Sequence, residues 1–316
     1  MKQAIFLLFP AAIIAQSLGV DAPIAGYVLD KATSSLHPIL GLPGGSTLGP
    51  STVSGVESAT VGPDFDTAIV SKPSGAFAIA GIRSGAPQWT QLSDSKSYLA
   101  AWGPSSAVVY TDSGFSVITR PAKGPLIITK LGVGLPPGIV TSLDYDEGSQ
   151  TAYIGLEADD STGGVYAFFV PDGTLRQLMS LSSTTSVVHA NRQVFALDRR
   201  TSAIWNITDS PTQLPISMGT DSRITAIAVS SDSLKLYVAD TGLQRLLVFD
   251  LTGTLLLQIP TFTSPAKLER LSNSASFLLN DQSGRPVWLL DDSKAPSIFF
   301  IPALRASEIA VAGRAN

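Results

Sequence analysis

One local pattern recurs along the chain at a nearly constant interval: an apolar run with β character ends in a polar residue and leads into a turn. The clearest copy is LYVADTG, in which the apolar run ends at Asp240. The equivalent positions are Asp30, Ser71, Asp112, Glu157, Asp198, Asp240 and Asp281. Successive positions are 41, 41, 45, 41, 42 and 41 residues apart. So narrow a spread over seven copies indicates that one supersecondary unit is repeated.

Each copy contains several short strand-like runs separated by turn residues. In the sixth copy the runs are ITAIAVS (Ile224–Ser230), KLYVAD (Lys235–Asp240), RLLVFD (Arg245–Asp250) and TLLLQI (Thr254–Ile259). A repeat in the low forties with four strands per copy is typical of propeller blades. The sequence therefore predicts an all-β chain that forms a seven-bladed β-propeller with four-stranded blades. The four strands of a blade are named A to D from the axis outward.

The two ends of the chain predict how the ring closes. Blade one has a B strand at Gly26–Asp30 but little chain before it for an A strand. One further period after the A strand of blade seven leads to SEIAVAG, Ser307–Gly313, which has no blade of its own. We expect this segment to become strand A of blade one, with Ile309–Ala312 pairing with Gly26–Leu29, because an unpaired strand edge invites aggregation.

The N-terminus has the pattern of a secretory signal peptide, because Lys2 is followed by the apolar run Ile5–Ala15 and then by small residues. We assign residues 1–19 to the signal peptide and residues 20–316 to a single propeller domain. An exported protein of the periplasm or the extracellular space is expected. The apolar run is shorter than the roughly 20 residues that cross a bilayer, so no membrane span is predicted.

Composition narrows the class of partner. The chain has no cysteine, which excludes a disulfide framework, a thiolate zinc site and a cysteine nucleophile. Its net charge is −4, only 15% of its residues are charged, and no Lys/Arg cluster stands out. Binding to a phosphate backbone needs several convergent cations, so we expect no nucleic-acid partner. A monomer is the expected state.

Blade six carries a family resemblance. The segment LYVADTGLQRLLVFDLTGTLL resembles an NHL-repeat blade, in which a strand ends in Ala-Asp, a turn leads to Arg, and an apolar strand ends in Asp before a Gly turn. Asp240, Arg245, Asp250 and Gly253 match this pattern. The other blades resemble it mainly in period, and known NHL propellers often have six blades. The resemblance implies a platform that binds protein, RNA or a small molecule, and some related propellers are hydrolases.

The recurrent acids are the clearest polar feature of the repeat. They are Asp30, Asp112, Glu157, Asp198, Asp240 and Asp281. We interpret each carboxylate as a structural turn residue that accepts hydrogen bonds from its own turn. A ring of acids that binds cations or a basic partner is the alternative. The turn ADDSTGG, with Asp159 and Asp160, is interpreted as solvated, with calcium binding as its alternative.

The starts of the A strands should surround the mouth of the central channel. The candidate ligand-binding residues at this mouth are Lys96, Arg223, Lys267, Glu57 and Glu308. Two interpretations stay open: these charges pair with one another, or the three cations hold a small anionic ligand. No catalytic residue, metal ligand set or cofactor is predicted, because His37 and His189 lack metal-ligand spacing. Both histidines are interpreted as packed or turn-bonded.

Regular turns without a metal cluster or a nucleophile motif favour a non-catalytic function. We predict that the chain binds a protein, peptide or glycan partner on one face of the propeller. The alternative is a periplasmic hydrolase or lactonase with a metal in the central channel. Trp205 and Trp288 each lie seven residues after the acid of their blade. They are interpreted as residues that pack one blade on the next.

Overall fold

The regular structure consists almost entirely of short antiparallel strands. A computed structural model describes residues 22–121, 124–158, 163–181, 183–216, 219–271, 275–280 and 286–303. Within these residues one short 3-10 helix, Ile82–Ser84, accompanies the strands. The predicted signal peptide, the turn acids Asp159 and Asp160, Asp281, Glu308 and the predicted closing strand Ser307–Gly313 lie outside the described residues.

The strands fall into seven sheets that follow one another along the chain. Blade one contains Ile24–Asp30 (β1), Ser35–Leu40 (β2), Thr47–Leu48 (β3) and Val53–Ser54 (β4). Blade two contains Ser58–Val61 (β5), Thr67–Lys72 (β6), Gly75–Ala80 (β7) and Gln88–Ser93 (β8). Blade three contains Tyr98–Trp102 (β9), Ser106–Thr111 (β10), Gly114–Thr119 (β11) and Ile127–Leu131 (β12). Blade four contains Ile139–Asp146 (β13), Thr151–Glu157 (β14), Gly164–Phe169 (β15) and Thr174–Ser180 (β16).

The remaining three blades repeat the same plan. Blade five contains Thr184–Ala190 (β17), Gln193–Asp198 (β18), Ala203–Asn206 (β19) and Thr212–Gln213 (β20). Blade six contains Ile224–Val229 (β21), Lys235–Asp240 (β22), Arg245–Asp250 (β23) and Leu255–Pro260 (β24). Blade seven contains Glu269–Arg270 (β25), Ser276–Leu278 (β26), Val287–Asp291 (β27) and Ser297–Ile301 (β28).

Each of blades two to seven is a four-stranded antiparallel sheet in chain order. The predicted seven-bladed β-propeller with four-stranded blades is confirmed. In blade six the structure and the sequence prediction agree on every strand to within one residue. Blade one differs, because β3 and β4 both pair with β2 and share the outer position. No described residue supplies an inner strand to blade one, so the proposed closing strand stays a prediction.

Alternating side chains on each middle strand pack against the two neighbouring blades, as the period of a strand requires. In β22, Leu236 and Val238 pack toward blade five, whereas Tyr237 and Ala239 pack toward blade seven. Both sides of the strand are therefore buried, which explains why its sequence is almost continuously apolar. The outer strand β24 is instead largely exposed.

Burial between blades holds the ring together. Among the described residues, seven buried apolar clusters form, one between each pair of neighbouring blades. The cluster between blades seven and one joins Val28 and Ile39 to Leu278 and Leu289. Fully burying one such aliphatic side chain stabilises a fold by about 1.5–3 kcal/mol. Apolar packing therefore runs around the whole ring, including the junction between its first and last blades.

The propeller has two faces that differ in their turns. The B–C face carries the turns between strands B and C together with the connections between blades. The A–B face carries the A–B and C–D turns. Blades one, five and six use four-residue B–C turns whose last residue is left-handed: Ser34, Ser202 and Gln244. Blade two uses a two-residue turn that is followed by Gly75, the first residue of β7, whose φ is +135°. A Cβ there would lie 2.2 Å from the carbonyl oxygen of Ser93, so only glycine fits.

Threonines near the starts of two inner strands link one blade to the next. Each lies at a register shift in the A–B pairing, at Thr141 in blade four and Thr225 in blade six. The hydroxyl of Thr141 donates to the carbonyl oxygen of Thr184 in blade five. The hydroxyl of Thr225 donates to the carbonyl oxygen of Pro265 before blade seven, at 3.2 Å. Such bulges re-aim a side chain away from its own ladder, and here they tie neighbouring blades together beside the channel.

Candidate functional site

The recurrent acids form a capping arrangement in three blades. Asp30 accepts hydrogen bonds from the N–H of Ala32 and the hydroxyl of Thr33, each at 3.0 Å. Asp198 accepts one from the N–H of Arg200 at 2.9 Å. Both carboxylates are buried. These bonds satisfy donors within the same four-residue turn, so the two acids stabilise their own turns.

Asp240 does more than cap its own turn. Its side chain is fully buried, and it accepts hydrogen bonds from the N–H of Arg223 at 2.9 Å and the hydroxyl of Ser222 at 2.7 Å. It also accepts one from Nε of Arg245 at 2.9 Å and one from the N–H of Leu243 at 3.3 Å. Burial alone would raise the pKa of this carboxyl, but the four bonds outweigh it and hold the pKa below its ordinary value.

The acid position is used differently in blades three and four. Asp112 is exposed and lies inside a two-residue turn. Thr111 makes the turn bonds there, because its hydroxyl accepts from the N–H of Ser113 at 3.2 Å. Glu157 is also exposed, and its contact is with the hydroxyl of Ser183 at 3.4 Å. A shorter turn in blade three moves the acid out of the capping position, although its place in the sequence repeat is unchanged.

The charged residues at the B–C mouth of the channel lie close to one another in pairs. Nζ of Lys96 is 2.9 Å from Oε2 of Glu57, across blades two and three. Nζ of Lys267 is 2.7 Å from Oε2 of Glu269 within blade seven. Arg223 contributes backbone bonds: its N–H donates to Asp240, and its carbonyl oxygen accepts from the N–H of Thr241 at 2.9 Å. Two of the three predicted ligand-binding cations therefore have carboxylate partners from the chain itself.

A second group of charges lies deeper in the channel, toward the A–B face. It borders a cavity of about 380 Å³, the A–B cavity, which is lined by residues of blades two to seven, among them Asp144, His189 and Arg270. Asp144 on β13 and His189 on β17 meet across the junction of blades four and five. Oδ2 of Asp144 accepts from the backbone N–H of His189 at 2.6 Å and lies 2.8 Å from its Nδ1. The imidazole is therefore fixed, with Nδ1 toward the carboxylate.

The environment of His189 favours its protonated form. Burial by itself would lower the pKa of the imidazole, but the hydrogen bond to Asp144 and the charge of Asp144 and Asp146 outweigh burial. The pKa of His189 is therefore raised above 6.5. His189 packs on Tyr153, with ring centroids 5.9 Å apart. His189 is therefore packed, as expected from the sequence, and it also has a specific carboxylate partner in Asp144.

Arg270 ends strand β25 on the opposite side of the A–B cavity. Its Nη2 donates to the carbonyl oxygens of Val229 at 2.6 Å and Ser230 at 3.0 Å. The guanidinium carbon lies 5.2 Å from the ring centroid of Phe277. Burial lowers the pKa of Arg270, against the opposing charges of Asp144 and Asp292, yet the side chain remains exposed to the channel. The guanidinium is thus held through Nη2, and the side chain is accessible from the cavity.

A further cavity of about 400 Å³, the blade-one cavity, lies before β1. Tyr27 and Leu29 of β1 line it, together with Leu271 and Leu278 of blade seven. Glu57, Lys267 and Arg270 also border it, so the two cavities meet at Arg270. The apolar lining of the blade-one cavity faces the inner position of blade one, where no described residue supplies a strand.

An apolar surface runs along the outer strands of blades six and seven. Phe262 is 80% exposed and stacks on Trp288, with ring centroids 5.2 Å apart and an interplanar angle of 27°. Phe300 is 55% exposed, and its ring is tilted by 48° against that of Trp288, with ring centroids 5.5 Å apart. Trp288 also packs against the buried cluster between the two blades. It therefore fulfils the predicted packing role and in addition joins two exposed aromatic rings.

Three consecutive leucines lie on the outer strand β24 of blade six, the blade next to Trp288. Leu255, Leu256 and Leu257 are all exposed. Leu257 lies opposite Val248, which faces blade seven, whereas Leu255 lies opposite Phe249, which faces blade five. The register shift between these two pairs places Leu256 at a bulge. We call Leu255, Leu256, Leu257, Phe262, Trp288 and Phe300 together the apolar rim.

The outer strands of blades three and four are better protected from association. Strand β12 carries Lys130 and strand β16 carries Arg176, and charges of this kind keep exposed edges apart. Strand β24 has the sequence LLLQIP and β28 the sequence SIFFI, without a charge in either. Exposed apolar residues that are concentrated on two neighbouring blades, rather than scattered singly, indicate an interaction surface. The apolar rim is therefore the candidate binding surface.

The remaining predicted residues have local roles. His37 is buried on β2, and its Nδ1 lies 2.9 Å from the carbonyl oxygen of Gly49. Within the described ranges, no group of three or more His, Asp or Glu side chains is placed to hold a metal ion. The same part of the chain contains no helix whose length and apolar character would let it cross a membrane.

Comparisons with known proteins support the fold. No family model matches the chain, and no curated protein matches it. A solved chain of the mitotic checkpoint complex is similar over 96% of this protein and 99% of its own length, with a TM-score of 0.59 and 11% identity. Hydrazine synthase of Kuenenia stuttgartiensis is similar over 90% and 98%, with a TM-score of 0.56 and 13% identity.

The β-propeller domain of Cps50 (Swd1) from Myceliophteria thermophila is similar over 81% of this protein and 92% of that domain, with a TM-score of 0.52 and 9% identity. Identities this low establish a shared propeller architecture and nothing about ligand or activity. The class that fold and comparisons define is the β-propeller.

Sequence reasoning missed Asp144 and Arg270 in the channel, and Phe262 and Phe300 on the rim. The signals available were weak. Phe262 follows a strand-ending proline, and Phe300 lies in the charge-free run SIFF. Asp144 and Arg270 lie near the ends of their A strands, whereas the candidate residues were chosen at the starts.

Proposed function

We propose that this protein is an exported, monomeric, non-catalytic β-propeller that binds an extended polypeptide of a protein partner on the apolar rim of blades six and seven. The observation that carries the proposal is the aromatic cluster of Phe262, Trp288 and Phe300. It leaves two large rings exposed. Aromatic residues are the side chains that most often dominate binding energy at protein interfaces.

The leucines of the apolar rim favour a polypeptide over a glycan as the ligand. A glycan platform combines an aromatic face with polar hydrogen-bonding neighbours, whereas Leu255, Leu256 and Leu257 offer only apolar contact. Strand β24 is also the outer strand of its sheet, so its outward backbone N–H and C=O groups can pair with an added strand. An extended peptide can use both features: its backbone extends the sheet, and alternate side chains contact the apolar rim.

Two further elements of the proposal come from sequence. The basic and apolar N-terminal pattern supports export to the periplasm or the extracellular space. Blade six supports an NHL-type propeller, because Asp240 and Arg245 of its pattern are 2.9 Å apart and close the same turn. The low charge and absent cationic cluster support a partner other than nucleic acid.

Selection from a displayed library of random peptides tests the binding proposal. Peptides are enriched on the parent protein, and their affinities are then measured for the parent, for Phe262→Ser/Phe300→Ser and for Ile127→Ser. Ile127 is exposed on β12 of blade three, so it provides a matched control away from the rim. We expect the rim variant to weaken binding about 30-fold or more, as loss of an aromatic anchor does, and the control to bind like the parent.

The measured affinities distinguish a peptide-binding rim from a binding surface elsewhere and from a glycan ligand. Peptides that bind the rim variant as well as the parent would show that the rim is not the binding surface. A glycan array screened with the same three proteins covers the other class, and rim-dependent glycan binding without peptide binding would overturn the choice of polypeptide. Export is tested separately by expression with and without residues 1–19, followed by fractionation. Equal retention of both forms in the cytoplasm would contradict it.

A further inference from the structure

The A–B cavity is lined by a cation, Arg270, for which the described residues supply no ion-pair partner. Within the described residues, no carboxylate lies within ion-pair distance of the Arg270 guanidinium, although Lys96, Lys235, Lys267, Arg120 and Arg245 all have one. Asp144 and Asp292 influence Arg270 only through longer-range electrostatics. The side chain is exposed to the channel, so its guanidinium is accessible to an anion that enters the cavity.

The guanidinium is already oriented for a ligand. Two carbonyl oxygens hold Nη2, and Phe277 lies against the guanidinium. These contacts leave Nη1 and Nε, whose N–H groups point in different directions from the planar guanidinium, so each can donate to a ligand separately. A carboxylate oxygen that accepts from Nη1 makes a charge-assisted hydrogen bond, one of the stronger hydrogen bonds in proteins.

A second donor faces the same space. The Nδ1 side of His189 is taken by Asp144, and His189 lines the A–B cavity, so Nε2 is the ring nitrogen that remains for a ligand. His189 and Arg270 are close enough to affect each other electrostatically. The other acid on the wall, Glu269, is paired with Lys267 at 2.7 Å. Among the described residues of the wall, Arg270 and His189 are thus the charges open to a ligand, whereas Asp144 is hydrogen-bonded to the imidazole.

The rest of the wall is mainly apolar. Leu143, Val188 and Leu268 line the A–B cavity with Phe277. Its volume of about 380 Å³ is in the range of small-molecule sites, which combine an apolar wall with a few convergent polar groups. We propose that the A–B cavity binds a small carboxylic acid with an apolar body, its carboxylate held by Arg270 and Nε2 of His189 and its body against the aliphatic wall. The proposal is independent of the apolar rim.

Calorimetric titration of the full chain with acetate, butyrate and hexanoate, in a chloride buffer of constant ionic strength, tests this site. We expect affinity to rise along the series by about fourfold for each added methylene, the value for burial of one CH₂. Hexanoate should also raise the melting temperature relative to an equal concentration of chloride. Absence of both effects for all three acids would overturn the proposal, as would an affinity that is independent of chain length.

Two variants assign the residues. Arg270→Lys keeps a cation but loses the guanidinium donor at Nη1, and His189→Asn keeps a donor toward Asp144 while removing Nε2. Each should weaken hexanoate binding about tenfold or more. Lys130→Gln, at an exposed position on the outer strand β12, is the matched control and should leave binding unchanged. If Arg270→Lys does not fold, the His189→Asn result decides. Hexanoate affinities within about twofold of the parent in the variants that fold would overturn the assignment.

Discussion

Asp144 of blade four and His189 of blade five are joined by two hydrogen bonds to a single carboxylate oxygen, one from the backbone N–H at 2.6 Å and one at Nδ1 at 2.8 Å. The residues are 45 positions apart, about one blade. The same carboxylate accepts the N–H of Tyr145 at Oδ1, at 2.9 Å. The pair therefore links two blades at the channel wall and fixes the orientation of the imidazole.

This pair predicts a pH dependence of stability. The pKa of His189 is raised in the folded protein, since the bond and charge of Asp144 outweigh burial. Its contribution is fully present below the unfolded pKa of about 6.5 and is lost as pH rises through the raised folded pKa. The free energy of unfolding, measured with denaturant across this window, should fall for the parent relative to His189→Asn. If the stability of the parent instead rose with pH relative to His189→Asn, the raised pKa of His189 in the folded protein would be contradicted.

A second prediction compares two turn acids that look equivalent in sequence. Asp240→Asn should cost about 2 kcal/mol, because the amide NH₂ then faces Nε of Arg245, which cannot accept, inside a fully buried site. Asp30→Asn should cost less than about 0.5 kcal/mol, because the hydroxyl of Thr33 can reverse and accept from the amide. Denaturant unfolding measures both. Equal costs would show that Arg245 adds nothing to the cap.

The same two acids show what sequence can and cannot predict. The period of about 41 residues was enough to predict the fold, because every blade must bury both sides of its middle strands and turn at the same places. It could not distinguish Asp240 from Asp30, since the partner Arg223 comes from a neighbouring strand. Nor could it reveal the A–B cavity, because Asp144, His189 and Arg270 come from three blades and meet only when the ring forms. Local patterning is repeated in sequence, whereas the channel contacts are not.

A third prediction concerns the buried hydrogen bond between Tyr237 and Asp292. The phenol, fully buried on β22, donates to Oδ1 of Asp292. Burial and the hydrogen bond to Asp292 raise the pKa of Tyr237.

Tyr237→Phe should destabilise the protein by about 1.5–3 kcal/mol, because it removes a bond to a buried carboxylate. Tyr166→Phe is the matched control, since the Tyr166 hydroxyl has no hydrogen-bond partner among the described residues, and it should change stability by less than about 0.5 kcal/mol. Similar effects of the two variants would contradict the prediction.

The last prediction tests how the ring closes. The described part of blade one begins at β1, its inner position is not supplied by any described residue, and the blade-one cavity faces that position. We propose that Ser307–Gly313 fills it by pairing Ile309–Ala312 with Gly26–Leu29.

Deletion of residues 307–316 should lower the melting temperature by about 10 °C or more, because it would expose strand edges beside blades one and seven. Val311→Pro should act in the same direction, since proline removes a ladder N–H. Deletion of residues 314–316 alone keeps the proposed strand and is the control, with little change expected. A full deletion that melts with the parent would show that the ring closes without this segment, through the apolar cluster between blades seven and one.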